Sequence, residues 1–321
     1  MTTARDPRFI ADLREAVRGE VRLAEPLARY STYRIGGPAT VLLPAAPDDV
    51  GAALRAAHAA GVPWFAAGLG SNVLLPDDGL DALVIRLGKG LDGIHSHADR
   101  WCFGAGLPAP LAARKTAEAG WSGIHMMVGV PGTVGGGIFM NAGCHGGQWA
   151  DTVETVVAVD GQGESRVFVR SEIPFSYRRS GLDGWLVLET TVRLVPAPKD
   201  ELTQEVKKLF EWRQKGTPFN QPCCGSTFKN PAWPESTPAA ERRTAGQLIE
   251  SAGLKGKRVG GVEVSPMHAN YFVNTGGATA ADVRALIDEV RTAVQERFAV
   301  ELEPEVRVVD RNGSPERNAH V

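Results

Sequence analysis

Glycine is concentrated in two short segments of this 321-residue chain, which has 37 glycines in all, and these segments restrict what it can fold into. Residues 68–75 read GLGSNVLL, and residues 129–137 read GVPGTVGGG. In a helix, each glycine costs up to about 1 kcal/mol relative to alanine, so packing alone does not explain this density. Close approach of the backbone to another group, most simply a diphosphate, explains it better. Taken alone, residues 68–75 also fit a plain turn between two strands.

Neither segment matches a common nucleotide-binding fingerprint. A dinucleotide fingerprint needs a third glycine where Val73 stands, and Pro76 prevents a long helix from following. A P-loop is excluded because the chain contains neither GxxxxGKS nor GxxxxGKT. The second segment fits a flexible loop less well, because the apolar residues 138–140 follow it directly. A diphosphate held by these segments therefore requires a fold of another kind.

Charge and composition narrow the classes of function. Lys and Arg number 35 against 37 Asp and Glu, a formal net charge of -2, so nucleic acid is not expected as a partner. The 43% hydrophobic and 22% charged residues are typical of a globular protein, and the length suggests two domains. The N-terminal residues lack the apolar core of a secretory signal, and no stretch approaches 18 apolar residues. No membrane association is therefore expected.

The cysteines and histidines indicate neither disulfides nor a metal site. Cys102, Cys144 and the adjacent pair Cys223 and Cys224 form no CxxC motif, which favours a reduced, cytoplasmic protein. The other candidate metal ligands, the histidines at positions 95 and 97, lie in a polar stretch without the usual spacing of zinc ligands. We expect no metal.

Hydrophobic periodicity and turn residues predict an α+β fold with a mixed sheet. Helices are predicted over residues 5–18, 48–60 (stopped by Gly61) and 110–119, around 202–210, and after the capping boxes Thr244 with Gln247 and Thr279 with Asp282. Strands are predicted over residues 63–67, 82–87, 101–105, 152–160, 165–170, 186–195, 270–273 and 305–309. Residues 160–163 predict a hairpin turn, and Pro196 with Pro198 marks the best domain boundary.

Several short motifs follow one another in a specific order. They read YRIGGPA (33–39), GLGSN (68–72), GVPGTVGG (129–136), MNAG (140–143), YR (177–178), GSTFKNP (225–231), AGQLIE (245–250), HAN (268–270) and LEPEV (302–306). Each motif alone is weak. In this order and spacing, over residues 25–310, they make the chain resemble the UDP-N-acetylenolpyruvoylglucosamine reductases, the MurB family.

The resemblance implies a two-lobed FAD-binding domain of the vanillyl-alcohol-oxidase (PCMH) type, followed by a MurB-type substrate-binding domain. The expected boundaries are an N-terminal helix and lead-in (1–30), the FAD-binding domain (31–198), the substrate-binding domain (199–310) and a disordered tail (311–321). In that fold, glycine-rich turns hold the FAD diphosphate without a covalent bond, which agrees with the failed fingerprints. The residues expected to bind FAD are Arg34, Gly68, Gly70, Ser71, Asn72, Val73, Gly132, Thr133, Gly135, Gly136, Asn141 and Gly143.

The resemblance also implies a reaction and the residues that perform it. Members of the family use NADPH to reduce FAD, which then reduces the enolpyruvyl ether of a UDP-sugar to UDP-N-acetylmuramate in peptidoglycan precursor synthesis. Ser226 matches the general acid of the family, and Arg178 and Glu305 match the residues that stabilise the enolate. Lys229 and Asn230 are candidate substrate contacts, with Asn230 favoured. No obligate protein partner is expected.

Without the resemblance, the three catalytic candidates have simpler explanations. Ser226 would be a turn serine, and Arg178 a solvated arginine. Strand alternation places Glu305 on one charged face with Glu301, Glu303 and Arg307, so only the Pro-Glu-Val match selects Glu305 over Glu303.

Two features set this chain apart within the family pattern. Arg179 stands where many members have an aspartate, which removes a partner for Arg178. The short stretch between Arg178 and Ser226 indicates the second subtype, which lacks an inserted loop.

Two other functions remain open from the sequence. A flavin-dependent oxidase or dehydrogenase of a small alcohol or hydroxy acid would keep the same fold, and Cys144-His145 is where a covalent flavin bond would form. A catalytically silent nucleotide-binding or interaction protein is the third alternative.

Overall fold

The structure of the protein, a computed structural model, describes residues 2–315. The α-helices of this part are α1 (Pro7–Ala16), α2 (Pro47–Ala60), α3 (Ala109–Glu118), α4 (Val134–Phe139), α5 (Lys199–Gly216), α6 (Ala245–Ser251) and α7 (Ala280–Phe298). Its strands are β1 (Glu20–Pro26), β2 (Pro38–Leu43), β3 (Trp64–Ala67), β4 (Val73–Leu74), β5 (Leu83–Arg86), β6 (Ile94–His97), β7 (Arg100–Gly104), β8 (Trp121–Ser122), β9 (Gly143–Cys144), β10 (Gly147–Gln148), β11 (Val153–Asp160), β12 (Ser165–Val169), β13 (Trp185–Arg193), β14 (Val195–Pro196), β15 (Arg258–Val259), β16 (Val262–Val264), β17 (Phe272–Asn274) and β18 (Arg307–Val308). Short 3-10 helices cover Leu27–Tyr30, His125–Gly129, Trp149–Asp151, Arg170–Glu172 and Ala239–Glu241.

The first lobe is built on a mixed sheet with the strand order β1-β2-β5-β3. β1 is antiparallel to β2, whereas β2 and β3 both run parallel to β5. α2 begins at Pro47 and ends at Ala60, and the left-handed φ of +65° at Gly61 closes the helix as predicted. Its apolar side packs in one core with the sheet, where Leu54 and Leu83 are fully buried. β1 and β2 were not predicted.

The second lobe is built on an antiparallel sheet with the order β12-β11-β13-β7-β6. The hairpin predicted at residues 160–163 is confirmed and joins β11 to β12. The Asp160 carboxylate accepts hydrogen bonds from the Gln162 and Glu164 amides at 2.8 and 2.9 Å, which fixes this turn. The mixed sheet that the sequence predicts is thus confined to the first lobe.

α5 packs on the second lobe. Its buried residues Leu202 and Val206 belong to the same core as the second sheet. The proline pair predicted a domain boundary at 198/199, but an amphipathic helix does not reveal from its sequence which core it joins. We propose that the C-terminal domain begins after α5.

The C-terminal domain places α6 and α7 against the antiparallel sheet β15-β16-β17. The predicted capping boxes are confirmed, with Thr244 paired to Gln247 and Thr279 to Asp282. The core of this domain also contains Tyr33 from the first lobe, which is 1% exposed. The domain is therefore completed by residues from the other end of the chain.

The end of the described chain differs from the prediction in two ways. A strand was expected over residues 305–309, but the strand covers only Arg307–Val308 and runs parallel to β4. Residues 311–315 were expected to be disordered, whereas they form a turn in which the Asp310 carboxylate accepts from the amides of Asn312 and Ser314. The Arg311 carbonyl also accepts from the Asp81 amide, which anchors the turn to the first lobe. The rest of the predicted tail, residues 316–321, lies outside the described residues.

Gly61 and Gly70 form a matched pair for a stability test, because both have a φ near +64°. A Cβ at Gly61 would have nothing within 4 Å, whereas a Cβ at Gly70 would overlap the Tyr30 carbonyl oxygen. Gly61→Ala should therefore cost about 1–2 kcal/mol, the strain of a left-handed alanine. Gly70→Ala should cost at least about 1–3 kcal/mol more, because the two backbone segments must separate. Urea unfolding of both variants measures the difference, and equal midpoints would contradict it.

Candidate active site

A cavity of about 800 Å³ lies between the two glycine-rich segments and the C-terminal domain. Its size falls in the range of sites for cofactors and small molecules. The lining comprises most of residues 64–73 and 129–144, residues 183–187 and 313–315, and Leu87, Arg178, Trp212, Arg213, Thr217, Gly225, Ser226, Asn230, His268, Tyr271, Glu305 and Arg307. Both lobes and the C-terminal domain therefore contribute to one site.

The glycine-rich segments present backbone donors along the cavity wall. Within the described residues, the backbone N–H groups of 68–72 donate no hydrogen bond, and neither do those of Gly132 and Thr133. The Ser71 hydroxyl donates to the Pro131 carbonyl at 2.8 Å and so ties the two segments together. Amides left without protein partners along a cavity wall can donate to a bound anion, so this wall is suited to a diphosphate. The expected residues that line it are Gly68, Gly70, Ser71, Asn72, Val73, Gly132, Thr133, Gly135, Gly136 and Gly143.

Two expected FAD contacts do not line the cavity. Arg34 is exposed, because it adopts a φ of +58° between Tyr33 and Ile35, which both enter the C-terminal core. Asn141 is 1% exposed, and its side-chain amide donates to the Ser176 carbonyl at 2.9 Å. Arg34 therefore lies in a turn, and Asn141 stabilises the loop that carries Arg178.

Arg178 and Glu305 form an ion pair at the cavity wall. The Arg178 Nε donates to the Glu305 carboxylate at 2.9 Å, and its Nη2 donates to the Gly143 carbonyl at 3.1 Å. Burial raises the pKa of the Glu305 carboxyl, while the charges of Arg178 and Lys229 act in the opposite direction. The site thus pairs the Arg178 guanidinium with a carboxyl whose pKa is higher than that of a carboxyl in water.

Ser226 is held beside this pair by backbone hydrogen bonds of the next residue. The Thr227 carbonyl accepts from the Glu305 amide at 2.8 Å, and the Thr227 amide donates to the Asn270 carbonyl at 2.8 Å. Asn270 precedes Tyr271, whose hydroxyl interacts with the Ser226 side chain. Burial raises the pKa of Tyr271, so its hydroxyl stays protonated at neutral pH. The three residues expected to act in catalysis are therefore gathered at one wall.

Glu303 and Glu305 do not share one face, contrary to the strand pattern. The Glu303 side chain is 56% exposed and forms ion pairs with Lys229 at 2.5 Å and Arg179 at 3.9 Å. Residues 301–306 form no continuous strand, so the alternation on which that expectation rested does not apply. Lys229 is engaged by Glu303 outside the cavity lining, whereas Asn230 belongs to the lining.

Sequence reasoning missed two residues of the site. Tyr271 follows the HAN motif directly, but its contact with Ser226 depends on the pairing of distant segments. Arg307 lies over the Phe139 ring at 4.7 Å and forms no ion pair within the described residues. Burial lowers the pKa of Arg307, so an anion in the cavity would compensate its charge. In the sequence, the feature that could have pointed to Arg307 is its position two residues after Glu305.

Comparison with known proteins agrees with this architecture. A family model described as an FAD binding domain matches residues 38–168, and the C-terminal domain of UDP-N-acetylenolpyruvoylglucosamine reductase matches residues 217–309. The chain is 44% identical to the UDP-N-acetylenolpyruvoylglucosamine reductase of Rubrobacter xylanophilus, covering 89% of this chain and 94% of that protein. The enzyme of Halalkalibacterium halodurans is 38% identical, with 94% and 98% covered. The crystal structure of MurB from Thermus caldophilus superposes with a TM-score of 0.76 at 33% identity, covering 90% of this chain and 99% of that one.

The chain belongs to the UDP-N-acetylenolpyruvoylglucosamine reductase family. It is an FAD-dependent oxidoreductase with an FAD-binding domain followed by a MurB-type domain, as the resemblance predicted. Its nucleotide partners are a UDP-sugar and NADPH. Within residues 2–315, no helix has the length and apolar character needed to cross a bilayer.

Cys144 of this reductase lines the cavity, where a covalent flavin bond was the alternative. Burial raises the pKa of its thiol to about 11, so the thiol is protonated at neutral pH and a poor nucleophile. We expect iodoacetamide to modify Cys144 slowly at pH 7.5 and much faster as the pH rises toward 11, as measured by peptide mass spectrometry. Denaturation in acid should release FAD into the supernatant. Rapid labelling at pH 7.5, or yellow colour retained by the precipitate, would contradict this assignment.

Proposed function

We propose that this reductase converts the enolpyruvyl ether of UDP-N-acetylglucosamine enolpyruvate to the lactyl ether of UDP-N-acetylmuramate, with Ser226 as the proton donor. The observation that carries the proposal is the convergence of Ser226, Arg178 and Glu305 on the cavity that the glycine-rich segments also line. Bound FAD would supply the hydride chemistry that links NADPH to the enolpyruvyl methylene carbon. The protein must then stabilise and protonate the neighbouring carbon.

The unpaired amides of residues 68–72, together with those of Gly132 and Thr133, are suited to hold the FAD diphosphate. Arg307 adds a half-buried cation between the two segments, because its backbone amide donates to the Asn72 carbonyl and its guanidinium lies on Phe139. These contacts require no covalent bond to the cofactor.

Arg178 is suited to bind the substrate carboxylate as the enolate forms. Two of its guanidinium nitrogens are fixed by Glu305 and Gly143, and the third has no hydrogen-bond partner among the described residues. A planar guanidinium held in this way is preorganised for a carboxylate, and charge that develops in a water-poor cavity is stabilised strongly. Glu305 fixes the orientation of Arg178.

Ser226 is suited to donate the proton. A serine hydroxyl is a weak acid, but an enolate is a strongly basic acceptor, and a positioned donor makes the transfer efficient. The Tyr271 hydroxyl interacts with the Ser226 side chain, and both residues line the cavity. Asn230, in the cavity lining, is the favoured contact for the rest of the substrate.

The proposal also covers the subtype of the enzyme, its compartment and its need for protein partners. The short connection from Arg178 to Ser226 supports the second, loopless subtype of the family. We place the protein in the cytoplasm, which agrees with four cysteines that are all free. The reaction requires no obligate protein partner.

Replacement of Ser226 tests the proton donor. Ser226→Ala should leave the reduction of bound FAD by NADPH intact but lower turnover with the UDP-sugar by about 10²-fold to 10⁴-fold, the scale of a lost general acid. Anaerobic stopped-flow absorbance of the flavin band separates the two half-reactions. Normal reoxidation of the variant by the substrate would show that Ser226 is not the acid.

Arg178 and its neighbour Arg179 provide a matched test of the enolate contact. Arg178→Lys should lose most activity, because an ammonium cannot replace the planar guanidinium between Glu305, Gly143 and the substrate. Arg179→Lys makes the same chemical change at a side chain that is 72% exposed, and should keep near-normal activity. Steady-state kinetics with the UDP-sugar measures both, and equal losses would contradict the role of Arg178.

A further inference from the structure

Trp212 lies at the mouth of the cavity, near the C-terminal end of α5. Its side chain is 63% exposed although it lines the site. An exposed indole is ordinary elsewhere on a surface, but here the ring borders the cavity that must admit two nucleotides. Trp212 and Ser226 line the same cavity, so one extended ligand can contact both.

The indole is held in place by a strained histidine. His145 and Gly146 form a two-residue turn between β9 and β10, with φ values of +51° and +82°. Such turns favour Asn, Asp or Gly at the first position, so a histidine here carries a conformational cost. The imidazole lies 4.9 Å from an aromatic ring of Trp212 with planes at 78°. This T-shaped contact packs the imidazole against the indole, while Trp212 remains 63% exposed.

A cation stands next to this aromatic surface. Arg213 also lines the cavity and forms no ion pair within residues 2–315. Its charge acts on both Cys144 and Tyr271, which line the same cavity. An aromatic face beside a free guanidinium matches a nucleotide, which has a planar base next to phosphate.

We propose that Trp212, fixed by His145, stacks on the planar heterocycle of a nucleotide ligand. The heterocycle is either the uracil of the UDP-sugar or a ring of NADPH, and the experiment distinguishes the two. The proposal rests on the proposed function, because it assumes that both nucleotides enter this cavity. Ser226 and Arg178 would then act on the reacting end of the ligand while Trp212 holds the other end.

Titration of the FAD-loaded enzyme tests this contact independently of turnover. The probes are UDP and NADP⁺, followed by isothermal calorimetry for the wild type and four variants. Trp212→Ala removes the ring and Trp212→Phe keeps a smaller one. His145→Asn removes the imidazole but tolerates the left-handed turn, so it should fold. Phe219→Ala is the matched control, because Phe219 is an exposed aromatic near the same end of α5 that does not line the cavity.

Trp212→Ala should raise Kd for one probe by about tenfold to a hundredfold, the scale of a lost base-stacking contact. His145→Asn should raise the same Kd by about twofold to tenfold, the scale of a lost aromatic pair. Trp212→Phe should retain most of the affinity, and Phe219→Ala all of it. A rise for UDP alone assigns uracil, and a rise for NADP⁺ alone assigns NADPH.

Two results would overturn the proposal: Kd values for both probes within twofold of wild type in Trp212→Ala, or no binding of either probe to the wild type. Failure of the wild type to oxidise NADPH with the UDP-sugar would instead refute the proposed function. The binding measurements therefore test the Trp212 contact, and the activity measurement tests the proposed function, so that one hypothesis can be refuted without the other.

Discussion

The site depends on the backbone hydrogen bonds of one extended segment near the end of the chain. The Glu305 amide donates to the Thr227 carbonyl, the Glu305 carbonyl accepts from the Asn72 side chain at 3.1 Å, and the Arg307 amide donates to the Asn72 carbonyl. These bonds connect the serine loop of the C-terminal domain with the first glycine-rich segment. A displacement of this segment would move Ser226 and Glu305 away from the cofactor wall and from Arg178, which is also bound to Gly143, so a few hydrogen bonds fix the geometry of the whole site.

The same segment separates two carboxylates that sequence alone treats as equals. Glu303 faces solvent and interacts with Lys229 and Arg179, where an ion pair contributes little to stability. Glu305 turns inward, where burial opposes its ionisation and Arg178 favours it. The difference arises from the backbone and not from the residue type. The carboxyl that holds Arg178 is therefore the largely buried one of Glu305, whereas the exposed Glu303 forms ion pairs with other cations.

The features predicted best from sequence were those with local causes. Thr244 with Gln247, Thr279 with Asp282, and the stop at Gly61 are fixed by hydrogen bonds or φ values within a few residues. The position of Asn141 and the contact of Tyr271 with Ser226 depend on segments distant in sequence, so no local pattern reveals them. The candidate catalytic residues Ser226, Arg178 and Glu305 were selected only through the order of weak motifs.

The packing of Tyr33, Ile35 and Leu74 into the core of the C-terminal domain has a consequence for engineering. That core takes apolar side chains from the first lobe, so residues 217–309 are not an exchangeable module. A chimera that takes this stretch from a relative would meet side chains selected against a different partner surface. Grafting the substrate half of another member onto this chain would therefore require transplanting the turn at 33–35 with it.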